Sequence, residues 1–264
     1  LKPRHALAHL RLGLMCRRQG HAADEEAALR SAVELAPSLA DAHVSLAETL
    51  ARRGRYAEAE AAFRAALERA PRHAVACDGL GVVLLAQGRL DEATRALADA
   101  HRNDPRRLRS LLHLADALRR ARRWSEAATR YREAIRQRPG LARLHGCLGL
   151  ALWRLRRHSE AAGAWRDAAR LAPDRGLWHR WHAVALERLG RLADAAAAFG
   201  RALSVNGDDA AAWLGLAAVS RRQGDWAQEA QAYARAVALR PADARIYADL
   251  GVAFEAQGLE ANAE

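Results

Sequence analysis

Eleven histidines, three cysteines and thirty-one carboxylates are the groups in this 264-residue sequence that could hold metals, attack substrates or exchange protons. His179 and His182 stand three apart, a spacing that suits a metal ion bound on one face of a helix. Both also fall where helices pack, so they are expected to be structural. Cys16, Cys77 and Cys147 are scattered, with no CxxC and no Cys/His ligand spacing, and are expected to be reduced thiols. Acidic pairs such as Glu25-Glu26 and Asp208-Asp209 fall at helix starts or exposed turns, where solvation and the helix dipole account for them. Phosphate-cradling, zinc-peptidase and nucleophile-elbow motifs are all missing. The expectation is a chain with no catalytic residues, no metal and no cofactor, and hence not an enzyme in itself.

The net charge of +11 comes almost wholly from arginine, since Lys2 is the only lysine. That bias fits a GC-rich genome, but the charge still favours acidic partners and speeds encounter with them. No apolar run is long enough to span a membrane. Unpatterned thiols favour a cytoplasmic setting, with the periplasm as the alternative.

The elements that position these residues follow a period. Pro3, Pro37, Pro71, Pro105, Pro139, Pro173 and Pro241 share one 34-residue register, with Gly207 in the missing place. Gly20, Gly54, Gly88, Gly190, Gly224 and Gly258 share another, with Arg122 and Arg156 filling its gaps. Repeats then begin at Ala6, Ala40, Ala74, Leu108, Ala142, Gly176, Ala210 and Ala244. The last, 244–264, is incomplete, and 1–5 reads as the tail of a preceding unit.

Each unit predicts two helices of about 13 residues, near 6–19 and 23–36 in the first repeat. Glycine at position 15 permits the left-handed backbone that ends the first helix, and proline at position 32 stops the second. Position 8 is always Gly or Ala, and position 27 is alanine from Ala32 to Ala236, so helix axes can approach closely. Position 24 is large (Leu29, Phe63, Leu97, Tyr131, Trp165, Phe199, Tyr233) and fills the space left between them. Position 20 is alanine except at Glu25 and Glu229. Less regular packing is expected in repeat six, where His179, His182 and Gly207 break the pattern. Leu1-Lys2-Pro3 matches the repeat ends Leu35-Ala36-Pro37 and Leu171-Ala172-Pro173, and Glu264 would lie inside a second helix. Further repeats or another domain are therefore expected on either side.

This small-and-large pattern resembles the tetratricopeptide repeat family over essentially the whole chain. The resemblance implies an all-α, right-handed superhelical solenoid of antiparallel helix hairpins, with the first helices lining a concave groove that binds partners. It also implies that positions 2, 5, 9, 12 and 13 of each first helix face that groove. Thirteen arginines occupy those positions against six acids. Repeats one to three balance, with Arg17, Arg18 and Arg52 against Asp41, Glu48 and Asp78. Repeats four to seven place Arg109, Arg119, Arg120, Arg143, Arg154, Arg180, Arg188, Arg221 and Arg222 against only Asp116 and Glu187.

Trp153 and Trp181 lie in that basic section as candidate anchors, or as packing between repeats. Apolar groove positions Leu7, Leu10, Leu14, Val44, Val75 and Val82 would suit an amphipathic helix. A second basic ridge, Arg89, Arg122, Arg123, Arg156, Arg157 and Arg191, runs through the turns and is expected to be solvated. The Lys/Asn set with which some family members grip a peptide carboxylate is missing.

These features favour a protein-interaction scaffold that binds a peptide, helix or acidic segment through repeats four to seven. The second reading is the substrate-recruiting array of a larger enzyme, such as a glycosyl- or other group transferase. Polyanion or nucleic-acid binding ranks third, because aromatics are not interleaved with the basic residues.

Overall fold

The computed structural model describes residues 2–261. Among them fifteen helices and no strand occur: α1 (Lys2–Gln19), α2 (Ala22–Leu35), α3 (Ala40–Arg52), α4 (Tyr56–Arg69), α5 (Ala74–Ala86), α6 (Leu90–Asn103), α7 (Leu108–Arg120), α8 (Trp124–Gln137), α9 (Ala142–Arg154), α10 (His158–Leu171), α11 (Gly176–Arg188), α12 (Leu192–Val205), α13 (Ala210–Gln223), α14 (Trp226–Leu239) and α15 (Ala244–Ala261). The repeats fall into two compact units, Leu1–Arg130 and Tyr131–Glu264. Within each, a first helix packs on its own second helix, and that second helix packs on the next first helix.

Glycine supplies the turn as expected. Gly20, Gly54, Gly88, Gly190 and Gly224 all have φ between 75° and 80°. The turn survives where glycine does not: Arg122 and Arg156 adopt the same left-handed backbone, at φ 59° and 63°. An L side chain pays for that conformation by crowding its carbonyl, so packing of the following helix must hold it there.

The wedge at position 24 works as its size suggests. An added Cβ on Gly13, Gly81 or Gly149 would lie 2.7, 2.4 or 2.5 Å from Leu29, Leu97 or Trp165. Phe63 and Phe199 instead fill the space over Gly79 and Gly215, the position-6 glycines of the following repeats. Alanine at position 27 is fully buried from Ala32 to Ala236.

The repeat joints carry a side-chain staple. Ring nitrogens of His43, His145 and His179 donate to the carbonyls of Pro37, Pro139 and Pro173 at 3.0, 3.0 and 3.2 Å. Trp213 does the same to Gly207 at 2.8 Å. Repeat six is therefore not irregular. Its helices have the usual 13 and 14 residues, and the carbonyl that proline presents elsewhere is presented by Gly207. His179 is structural.

Two ends depart from the register. α1 begins at Lys2 instead of near residue 6, with Pro3 in its first turn, where proline's missing N–H is harmless. α15 runs through Gly258 to Ala261 with no turn there. The expected placement of Glu264 in a second helix lies outside the described residues, as does Leu1. No described helix is long and apolar enough to cross a membrane.

Candidate functional site

Each unit has its own first-helix face, carried by α1, α3, α5 and α7 in one unit and by α9, α11, α13 and α15 in the other. The structure separates its arginines into those held by acids and those left open. Arg109 lies 3.9 Å from Asp78, and Arg119 lies 3.0 Å from Asp116. In the second unit Arg180 meets Asp209 at 2.9 Å, Arg221 meets Glu229 at 2.5 Å, and Arg222 meets Glu187 at 3.6 Å. Arg120, Arg143 and Arg188 are exposed and form no ion pair among the described residues. Arg154 is exposed.

Two of the pairing acids were invisible to a count of groove positions. Asp209 is the N-cap of α13, accepting from the Ala211 and Ala212 amides, and Glu229 rises from the second helix α14. The second unit therefore sets Arg143, Arg154, Arg180, Arg188, Arg221 and Arg222 against Glu187, Asp209 and Glu229, a smaller positive excess than the groove positions alone suggest.

Trp153 and Trp181 are half-buried and share a third ring the groove pattern did not flag. Trp165, from position 24 of α10, is 1% exposed and stacks on Trp181 at 5.4 Å with 25° between planes. Trp153 meets Trp165 at 5.8 Å and His158 edge-on at 4.4 Å. Trp165 Nε1 donates to the Gly146 carbonyl at 3.1 Å, which fixes the middle of the stack. Arg180 covers Trp181 at 5.5 Å. The tryptophans thus pack between repeats and still present edges outward. Trp153 lines a cleft of about 540 Å³ with His158, Val184, Glu187, Arg188 and Arg222.

Of the apolar positions in the first unit, Leu10 and Val44 are covered, whereas Leu7, Leu14 and Val82 reach the surface. Val75 and Val82 line a second cleft, of about 550 Å³.

Several acidic and basic residues behave differently from their sequence reading. Glu25 and Glu26 are not solvated. They are 1% and 3% exposed and fully ion-paired, Glu25 to Arg17 and Arg52 and Glu26 to Arg30, Arg53 and Arg55. The turn ridge is not a bare basic surface either. Arg55, Arg89, Arg123, Arg157 and Arg191, each at position 16, bind the acid three residues on at 2.5–2.8 Å. That acid sits in the first turn of the second helix, where the dipole also favours it. Only Arg122 and Arg156 of the ridge stand outside this pattern. A period-34 register of Arg at 16 and Asp or Glu at 19 was present in the sequence and would have revealed it.

His182 is half-buried at a position where other repeats carry leucine. Burial, then the charges of Arg201, Arg166, His179 and Arg191, lowers it to about 4. Cys16 and Cys77 are buried and Cys147 partly so, with no disulfide among them; burial pushes the Cys77 thiol up. No group of three or more metal-binding side chains clusters among the described residues.

Two family models described as Tetratricopeptide repeat match the sequence, one over residues 1–40, 79–142, 112–176, 148–203 and 182–244 and the other over 38–104. No curated protein matches it. Among solved structures, the C-terminal part of a TPR repeat-containing protein from Cytophaga hutchinsonii is similar at 14% identity and a TM-score of 0.78, covering 91% of this chain and 99% of that one. YrrB, described as a TPR protein with an unusual peptide-binding site, is similar at 16% identity and a TM-score of 0.61, covering 70% and 95%. A structure of Naa15/Naa10 bound to HypK-THB is similar at 15% identity and a TM-score of 0.66, covering 94% of this chain and 39% of that one.

Proposed function

Because the chain belongs to the tetratricopeptide repeat family, whose members are generally protein-interaction scaffolds, we propose that it binds an acidic protein segment on the first-helix face of its second unit. The observation that carries this reading is the juxtaposition of Arg188 and Arg222 with Trp153 around one cleft. A half-buried indole gives a rigid apolar contact, and a guanidinium with no acid of its own gives a bidentate partner for a carboxylate. Arg143, open on α9, extends the positive field along the same face and steers an acidic chain toward it. The peptide-binding description of YrrB supports a peptide as the partner type.

The test is binding of a blocked hexaglutamate peptide, followed by tryptophan fluorescence at low salt. Reversing Arg143 and Arg188 to Glu should weaken binding by about tenfold or more, chiefly through slower association. Reversing Arg235, exposed on the second helix α14, should do much less. Equal affinity of the parent and the double variant would sink the assignment. Arg17 and Arg52 are unsuitable controls, since both hold Glu25 in place.

A further inference from the structure

The cleft of about 550 Å³ in the first unit differs in chemistry from the tryptophan cleft. Its volume is that of an ordinary ligand pocket. Phe63, Val75, Val82 and Val83 form an apolar floor, and Gly79 is the reason Phe63 reaches it: a Cβ there would lie 2.2 Å from the ring. Val82 and Tyr56 are 36% and 39% exposed at its walls.

The rim is charged but unevenly matched. Arg17, Arg52, Arg107 and Arg109 face Glu48 and Asp78. Arg17 is taken by Glu25 and Glu48 at 2.8 Å each, and Arg52 by Glu25. Asp78 is held at 2.8 Å by His113, with Arg109 at 3.9 Å. Arg107 forms no ion pair among the described residues, and its Nε, shielded from solvent, has no hydrogen-bond partner. A shielded guanidinium N–H without an acceptor is costly, and it stands beside an apolar floor open to solvent.

We propose that this cleft receives a large apolar side chain of a partner segment, and that a neighbouring carboxylate of the same segment pairs with Arg107. The ligand is then not acidic alone, as the second-unit reading requires, but acidic and hydrophobic within a residue or two. The two readings share an acidic partner and differ in place and in what they discriminate.

The experiment uses the full chain with labelled valine methyls and three blocked peptides: acetyl-Glu-Glu-Phe-Glu-Glu-amide, its Phe-to-Asn counterpart, and its all-Glu-to-Gln counterpart. The first should shift the Val75 and Val82 methyls saturably. Each counterpart should bind about tenfold more weakly, as expected for loss of an anchor or a charge-assisted bond. Arg107→Gln should abolish the preference for the Glu peptide over the Gln peptide and leave the preference for Phe over Asn. Val82→Glu, at an exposed site, should remove the methyl shifts at Val75 without lowering the melting temperature. Unmoved valine methyls would overturn the proposal even if tryptophan signals respond, in which case the second-unit reading survives alone. Equal binding of the Glu and Gln peptides to the parent would overturn it too.

Discussion

Glu25 and Glu229 occupy the same register position, one in the first repeat and one in the seventh, and each is 1% exposed. Each meets the arginine eight residues before it, Arg17 or Arg221. There the likeness stops. Glu25 also accepts from Thr49 at 2.7 Å and pairs with Arg52, both on the first helix of the next repeat, while Glu48 on that helix takes a second nitrogen of Arg17. At the places beyond Glu229 that match Glu48 and Thr49 stand Val252 and Ala253. Glu229 Oε2 and Arg221 Nη2 are accordingly shielded without hydrogen-bond partners. An identical pair is a complete network in one unit and a half-satisfied one in the other, because in a repeat protein the neighbour supplies the missing partners.

The strongest way to break that comparison is to delete both carboxylates. Glu25→Ala should cost about 3 kcal/mol, since it strips a half-buried Arg17 of one carboxylate and removes the link between repeats. Glu229→Ala should stay within about 1 kcal/mol, because the lost pair is offset by relief of an unpaired buried oxygen. Urea unfolding of the two variants measures the difference, and equal midpoints would show that the neighbour's contribution is negligible.

Acid sharpens the contrast further. Burial alone would raise the Glu25 carboxyl, but hydrogen bonds from Arg17 and Thr49 and the charge of Arg52 outweigh it and hold the carboxyl below its ordinary 4.5. The unfolded chain therefore takes this proton first, and the network's stabilisation is lost only as pH falls below about 4.5 and through the lowered native value. In the second unit His182 titrates at about 4 against an ordinary 6.5. Between those values the unfolded state binds the proton and the native state does not, so stability declines as pH drops from 6.5 to 4. The second unit should thus loosen first, by about 2 kcal/mol, after allowance for partial solvation of the ring. Hydrogen exchange of α11 and α3 amides at pH 7 and pH 5 reads this directly. His182→Leu should abolish the α11 response and leave α3 unchanged; an α11 response that persists in the variant would assign it to another group.

The smallest effect concerns the turns. Arg156→Gly, and Arg122→Gly in the other unit, should each stabilise by about 0.5–1 kcal/mol, as relief of the left-handed strain exceeds the added freedom of the unfolded chain. Gly54→Arg should do the reverse. Thermal melts resolve the pair, and a loss of stability in Arg156→Gly would mean that its side chain contributes more than its backbone costs.

The sequence by itself determined the helices, their order and their sockets. A period of 34 fixes which residues lie on which face, and small residues at 8 and 27 beside a large one at 24 admit only close-packed hairpins. Turn backbone followed from the register and not from glycine alone, since Arg122 and Arg156 adopt it too once the helices pack. Charges were less legible. Counting arginines on one helix face could not see Asp209 at a cap or Glu229 on the next helix, since ion pairs form between elements and depend on side-chain reach across them. Nor could it see Trp165 joining Trp153 to Trp181, as that stack spans three helices. Sequence set the repeating frame through local geometry; tertiary structure decided which charges and rings remain open, because each is settled by what the adjoining helix brings within a few ångströms.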